Sequence, residues 1–205
     1  VALAAPGLKC PRSIGGVPVE DMIFVVSAKL QPPVLGKNTV QRRRLLEALN
    51  RVASHRLTLV CAGAGYGKTT LLSNITSLPA HVVWYSLSRS DQDLAVFTTY
   101  LVEGIRRYYP GFGGRVLQLL TGSGQTNAIP EAIAGHLVNA LGQIDQRHLV
   151  IVLDDYHFVD RNQAIRKVSD YLLVHLPTKV HIVIATRRRP RLPSLPRLRL
   201  VGAVN

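Results

Sequence analysis

Ala62-Gly-Ala-Gly-Tyr-Gly-Lys-Thr-Thr70 places three glycines, a lysine and two threonine hydroxyls directly after an apolar run, Leu57-Thr-Leu-Val-Cys61. That grouping suits the binding of an anion. Glycines let the backbone curl until consecutive N–H groups converge, and the positive end of a following helix adds to them. The spacing follows G-x-x-x-x-G-K-[ST], the Walker A pattern, with one departure: Ala62 stands at the first glycine position. Gly67, Lys68 and Thr69 match, while Gly63 and Gly65 supply further backbone freedom. Ala62, Gly63, Ala64, Gly65, Tyr66, Gly67, Lys68, Thr69 and Thr70 are therefore the candidate phosphate contacts. Lys68 brings a mobile ammonium to the terminal phosphates, and the Thr69 hydroxyl can complete a Mg²⁺ shell.

A second group lies downstream. Leu149-Val-Ile-Val-Leu153 is wholly apolar and runs into Asp154 and Asp155, the Walker B arrangement. Asp154 is expected to reach Mg²⁺, directly or through water. Asp155 would orient or deprotonate a water aimed at the γ-phosphate. Two acids after a strand can also simply cap the turn that follows; the upstream loop is what favours the metal reading. A fourth apolar run, Val180-His-Ile-Val-Ile-Ala185, leads into Thr186-Arg187, which makes Arg187 a candidate sensor of the γ-phosphate. Arg187 also belongs to a basic run with Arg188 and Arg189, so a solvated surface role stays open.

Other chemistry is poorly supported. Seven histidines are scattered without metal-ligand spacing, and no Ser/His/Asp or Cys/His set suggests acyl transfer. His157 reads as structural or surface-exposed more readily than as a site residue. Trp84 and Tyr85 read as core, and Tyr66 as packing or facing solvent. Cys61, at the end of an apolar run, reads as a small buried hydrophobe.

These groups need elements to position them. The apolar runs predict strands at 57–61, 82–87, 149–153 and 180–185, with a further strand at 198–204. Between them, periodicity predicts helices at 39–53, 68–77, 92–108, 115–120, 130–145 and 162–175. Strands alternating with helices argue for a mostly parallel sheet covered on both faces. Residues 1–38, with five prolines, read as an irregular N-terminal segment preceding one α/β domain at 39–205.

The chain has 205 residues, 47% hydrophobic and 18% charged, which suits one such domain and argues against global disorder. Two cysteines are too few for a disulfide framework and fit a reducing cytoplasm. No apolar run is long enough to span a membrane. The sequence does not begin with Met and reads as a piece of something longer. Its net charge of +13 is uneven: six arginines and no acid lie between Arg187 and Arg199. Such an excess suits nucleic acid or acidic partners, or a surface facing phosphates or another domain.

Taken in order, Gly65-Tyr-Gly-Lys-Thr-Thr70, Trp84-Tyr-Ser-Leu87, Leu153-Asp-Asp-Tyr-His157 and Thr186-Arg187 through Pro190-Arg-Leu-Pro193 to Arg197-Leu-Arg199 resemble a known family. It is the ATPase domain of the MalT-type, large ATP-binding regulators of the LuxR class, in the STAND group of signalling NTPases. Lys29-Leu-Gln-Pro-Pro33 and Arg42-Arg-Arg-Leu45 resemble that family's lead-in. The resemblance covers roughly 29–202. It implies a three-layer P-loop NTPase fold in an AAA-like arrangement, with an additional strand between the loop strand and the strand carrying Asp154. It implies ATP and Mg²⁺ as ligands, with Lys68 and Thr69 on phosphate and metal, Asp154 and Asp155 on metal and water, Arg187 as sensor and Arg42 near the base. ATP over GTP follows from the resemblance, beside the absence of an Asn-Lys-x-Asp motif. The family's domain is a switch: ATP favours a self-associating form, and slow hydrolysis resets it. Where the family often has an acid, this chain has Ser88, with Asp91 and Asp93 nearby. Asn205 precedes any lid or helix-turn-helix, so DNA binding is expected through domains beyond this chain.

The expectation is thus an ATP-binding, slowly hydrolysing switch domain of a signal-dependent transcriptional regulator. A DNA-stimulated AAA-like ATPase, a non-catalytic nucleotide-binding module and a small-molecule kinase are the alternatives.

Overall fold

In the computed structural model, four apolar runs become one parallel sheet: β1 (Leu57–Cys61), β2 (His81–Ser86), β3 (Leu149–Asp154) and β4 (Val180–Thr186). The structure describes residues 13–14, 17–18, 23–34, 52–121, 129–144 and 147–200. Strand order is β1-β4-β3-β2. The last strand in sequence therefore lies between the loop strand and the strand carrying Asp154, as the resemblance implied.

The helices are α1 (Lys68–Leu72), α2 (Leu94–Arg106), α3 (Gly114–Thr121), α4 (Pro130–Gly142), α5 (Gln163–His175) and α6 (Leu195–Leu200). Alternation along β3 sorts its side chains between two layers. Leu149, Ile151 and Leu153 pack with α2, α4 and α5, whereas Val150 and Val152 pack with Leu72 and Ile75 on the opposite face. Trp84 and Tyr85 are fully buried and face opposite layers, as core residues. The fold is a three-layer α/β sandwich.

Some helix boundaries follow from local chemistry. Asp93 caps α2 by accepting hydrogen bonds from the amides of Ala95 and Val96 at 2.8 and 3.0 Å. Asn162 does the same for α5 through Ile165 N. The helix expected at 68–77 is α-helical only to Leu72 and tightens into a 3₁₀ turn over Ser73–Ser77. There the side chains of Ser73, Asn74, Thr76 and Ser77 bond back to carbonyls of the preceding turn.

Two expectations are corrected. The residues expected to begin a fifth strand form the end of α6. The Leu198-Arg-Leu200 alternation imitates a strand, but Leu192, Leu195 and Leu198 recur every third residue and are all buried on one side. Leu198 N bonds to Ser194 O at 2.9 Å, a helical pairing; residues 201–204 lie outside the described residues. Cys61 is exposed rather than buried. It ends β1, an edge strand whose burial fades from Leu57 outward. In a Cys10→Ser background, Cys61 is expected to react with a thiol reagent in the native protein within a few-fold of its rate after unfolding. Protection lifted only by denaturant would contradict this placement. The helix expected at 39–53 lies outside the described residues apart from a 3₁₀ turn at Val52–Ser54.

The N-terminal segment contributes to the fold. Ser13–Ile14 pairs antiparallel with Val17–Pro18, and the 3₁₀ turn Ser27–Leu30 packs against β2, with Leu30 buried in the core beside α2. Lys29 Nζ reaches both carboxylate oxygens of the fully buried Asp91 at 2.7 Å and the Ser88 hydroxyl at 2.9 Å. Its charge also sits 5.1 Å from the centre of the Tyr100 ring. Arg107 donates to the Leu30 carbonyl, and Val26 N donates to the Tyr100 hydroxyl.

At the opposite end of the sheet from the loop, His181 is buried. Its Nδ1 lies 2.8 Å from His55 O, and its Nε2 lies 2.8 Å from His148 Nδ1. A carbonyl only accepts, so Nδ1 carries the proton and Nε2 of the neutral ring accepts from His148. Burial, with a smaller contribution from His148, pushes the His181 pKa down against the opposing pull of the His55 carbonyl. The folded state therefore binds this proton less tightly than the unfolded chain. Stability should be complete above the unfolded value of about 6.5 and fall as pH drops below it. His181→Gln is expected to flatten the loss of Tm between pH 7 and 5.5; an unchanged profile would dismiss the role.

Candidate functional site

Parallel pairing aligns the strand ends that carry the chemistry. Cys61 on β1 pairs with Thr186 on β4, and Asp154 on β3 pairs with Ser86 on β2. The residues that follow β1, β3 and β4 therefore emerge together at one edge of the sheet, where ligands of open parallel sheets collect. Ala62 N donates to Thr186 O at 3.2 Å and carries the ladder one step into the loop.

The loop turns through Gly65 and Gly67, both left-handed at φ 77° and 76°. Gly67 directly precedes α1. A side chain at either position would be strained, so the glycine spacing answers a backbone need. Tyr66 lies between them, 71% exposed, with its ring over Gly63.

Lys68 is buried, and its Nζ donates to the carbonyls of Ala62 and Gly63, both at 2.8 Å. The ammonium is held inside the curve of the loop. Thr69 Oγ1 donates to Asp154 Oδ2 at 2.8 Å. Asp154 also accepts from the amide of Asp155 at 2.9 Å. Burial pushes the Asp154 carboxyl above its ordinary pKa, and the charge of Asp155 adds to this. The Thr69 hydroxyl, the Asp155 amide and the Lys68 charge pull the other way. Asp154 is thus a desolvated carboxylate aimed at a hydroxyl and close to a cation.

Asp155 differs. Among the described residues it is the one non-glycine with positive φ, at 57°. Aspartate tolerates this region better than most residues, but the conformation still costs energy. The twist turns its side chain outward, 36% exposed, while Asp154 stays buried. His157 Nδ1 lies 3.6 Å from Asp155 Oδ1, and its ring packs on Phe158. Burial pushes the His157 pKa down; Asp155 opposes this, while Arg187, Lys68 and Arg188 reinforce it.

The donors fit Mg²⁺. A hydroxyl and a carboxylate converge as hard oxygen ligands, and Mg²⁺ takes its remaining shell from water and phosphate. No group of three or more His, Cys, Asp or Glu that could hold a metal occurs among the described residues.

No protein-family model matches the chain. Its relatives are more informative. It is 35% identical over 169 residues to the HTH-type transcriptional regulator MalT of Yersinia pestis, covering 82% of this chain and 18% of that protein. The same regulator from Yersinia enterocolitica is 35% identical over 179 residues, with the same coverage. The domain is MalT-like. It spans about a fifth of the length of those relatives. Solved structures similar to the MalT-like domain include Drosophila ORC bound to AT-rich DNA and Cdc6, at TM-score 0.46 and 12% identity, covering 80% of this chain and 54% of that one. A DNA replication initiation factor matches at TM-score 0.44 and 16% identity, covering 86% and 50%. No described helix is long and apolar enough to cross a membrane.

In this MalT-like domain, Lys68, Thr69, Asp154 and Asp155 come together. Arg187 stands at the same edge, exposed and with no side-chain partner among the described residues. Arg42, expected near the base, lies outside the described residues. Sequence reasoning missed two supports. Thr186 is fully buried, and its hydroxyl donates to Arg188 O at 2.9 Å, which turns the chain at Arg187. Asp160 is 1% exposed and accepts from Arg191 N at 2.8 Å, tying the segment after β3 to the one after β4. Neither has a local signature; a buried aspartate six residues beyond the acidic end of β3 is recognisable only once its partner is in place.

Proposed function

We propose that this MalT-like domain binds ATP with Mg²⁺ at residues 62–70 and serves as the slowly hydrolysing switch of a signal-dependent, cytoplasmic transcriptional regulator of the STAND type. The observation that carries the reading is the Thr69–Asp154 hydrogen bond of 2.8 Å beside a lysine held within a glycine loop. Thr69 and Asp154 would hold Mg²⁺, which, when bound, neutralises charge on the phosphates. Lys68 would exchange its two loop carbonyls for phosphate oxygens. Asp155, turned outward by its backbone, would orient the attacking water, and Arg187 would sense the γ-phosphate. Positioning and charge, not covalent chemistry, do the work. Turnover should be slow in this domain alone, because an arginine supplied by a partner or lid contributes on the order of 10³–10⁵ to such rates. Self-association in the ATP state and operator binding by other domains complete the reading.

Asp154→Asn tests it. The raised pKa means that ionising Asp154 opposes folding at neutral pH; its favourable contribution is complete below the unfolded value and is lost as pH rises through the folded one. The amide should therefore leave Tm without ligand unchanged or higher, while abolishing the Mg²⁺-dependent rise in Tm on adding ATP. A variant that still gains full stability from Mg²⁺ and ATP would remove Asp154 from the site.

A further inference from the structure

The sheet edge that carries Arg187 continues into a surface the nucleotide reading does not use. From Arg187 to Leu198 the chain alternates between anchoring and exposure. Pro190, Leu192, Ser194, Leu195 and Leu198 are buried, whereas Arg187, Arg188, Arg189, Arg191 and Arg197 are exposed. The backbone is fixed as well as packed. Arg191 N bonds to Asp160 Oδ1, and Ser194 N bonds to Asp170 Oδ1, each at 2.8 Å. The first of these bonds also brings the exposed Arg161 to the same stretch. None of these arginines makes a side-chain hydrogen bond or ion pair among the described residues. The result is a rigid ridge of unpaired guanidinium groups.

We infer that this ridge binds the phosphodiester backbone of duplex nucleic acid without reading its base sequence. Guanidinium groups match phosphate oxygens in charge and in paired donor geometry. The ridge offers nothing else. Its other exposed residues are Pro193 and Pro196. It has no aromatic residue on which unstacked bases would sit, which disfavours single strands. It also has no large apolar anchor of the kind that forms the centre of a protein interface.

A second copy of the chain fits poorly, because the acids among its described residues are already engaged. Among the described residues, Asp91 pairs with Lys29, Glu103 with Arg106 and Glu131 with Lys167. Asp93, Asp154, Asp160 and Asp170 accept internal hydrogen bonds, and Asp155 faces His157. Among the described residues, little unengaged acidic surface is left to answer the ridge.

The test uses the whole 205-residue chain and a fluorescent 20-base-pair duplex of arbitrary sequence, read by anisotropy from 50 to 200 mM salt. Contacts from about four arginines predict a log–log salt slope near −3.6 and a roughly 100-fold loss of affinity over that range. Two duplexes of unrelated sequence should bind alike. Arg188, Arg189, Arg191 and Arg197 replaced together by Gln should lose at least tenfold in affinity at low salt and most of the slope. The same variant should keep its Tm and its ATP affinity, since Arg187 is left in place. A milder Arg188→Glu/Arg189→Glu pair should weaken binding in the same direction should the fourfold variant fold poorly. No binding at 50 mM salt, or equal binding by the variants, would overturn the inference. So would tighter binding of a poly-glutamate peptide than of the duplex, which would make the ridge a protein-docking surface. Loss of DNA binding with intact ATP binding separates this site from the nucleotide site.

Discussion

Replacing Lys68 by alanine is expected to weaken ATP binding by about 100-fold. A hydrogen bond to a charged group contributes about 1.5–3 kcal/mol, and every 1.4 kcal/mol is tenfold in affinity. Lys68 is placed for more than one such bond. Its Nζ already holds two acceptors at 2.8 Å, so the same ammonium can bridge two phosphate oxygens. The substitution also leaves the carbonyls of Ala62 and Gly63 without this donor, so a small loss of stability should accompany the large loss of binding. Displacement of a fluorescent ATP analogue by ATP, beside a denaturation curve, distinguishes the two. A Lys68→Ala protein that folds and binds as tightly as the parent would show that the loop is not the phosphate site.

Removing Lys29 should be the most damaging single change outside that site. Asp91 is fully buried, and Lys29 is 22% exposed at its side chain. Breaking such a pair strands a charge in the interior, at a cost of about 3 kcal/mol, the low end of the usual range given the partial exposure of the lysine. The ring of Tyr100 loses its cation as well. Urea denaturation of Lys29→Met should show the loss, and Lys29→Met with Asp91→Asn should recover part of it, because the amide needs no counter-charge. Failure of the second substitution to recover anything would mean that Lys29 acts by packing alone.

Much of the site was legible because its logic is local. Gly65 and Gly67 advertise backbone conformations that a side chain would strain, and Lys68 and Thr69 follow them in the first turn of α1. Likewise, Leu149 to Leu153 announces a strand buried on both faces, and the acids after it must emerge at its end. Each signal is carried by neighbours within a few residues, so periodicity and turn chemistry suffice to read it. Leu198 to Leu200 shows the limit of that reading: three residues satisfy both a strand and a helix, and only the packing of Leu192, Leu195 and Leu198 chooses. Cys61 shows it again, since an apolar run does not reveal that its strand lies at an edge.

What only the tertiary structure decided is who meets whom. Thr69 and Asp154 are 85 residues apart, and Lys29 and Asp91 62 apart. Their contacts exist because β4 pairs with both β1 and β3, and because the 3₁₀ turn Ser27–Leu30 packs against β2 and brings Lys29 to Asp91. Strand order is set by which helical faces can be covered together, a property of the whole chain. The left-handed turn at Asp155 and the latch from Asp160 to Arg191 follow from that arrangement. The sequence by itself determined the chemical groups and the ends of the strands on which they sit. Long-range packing determined the distances between them, because side chains far apart in the chain acquire a geometry only when the layers between them close.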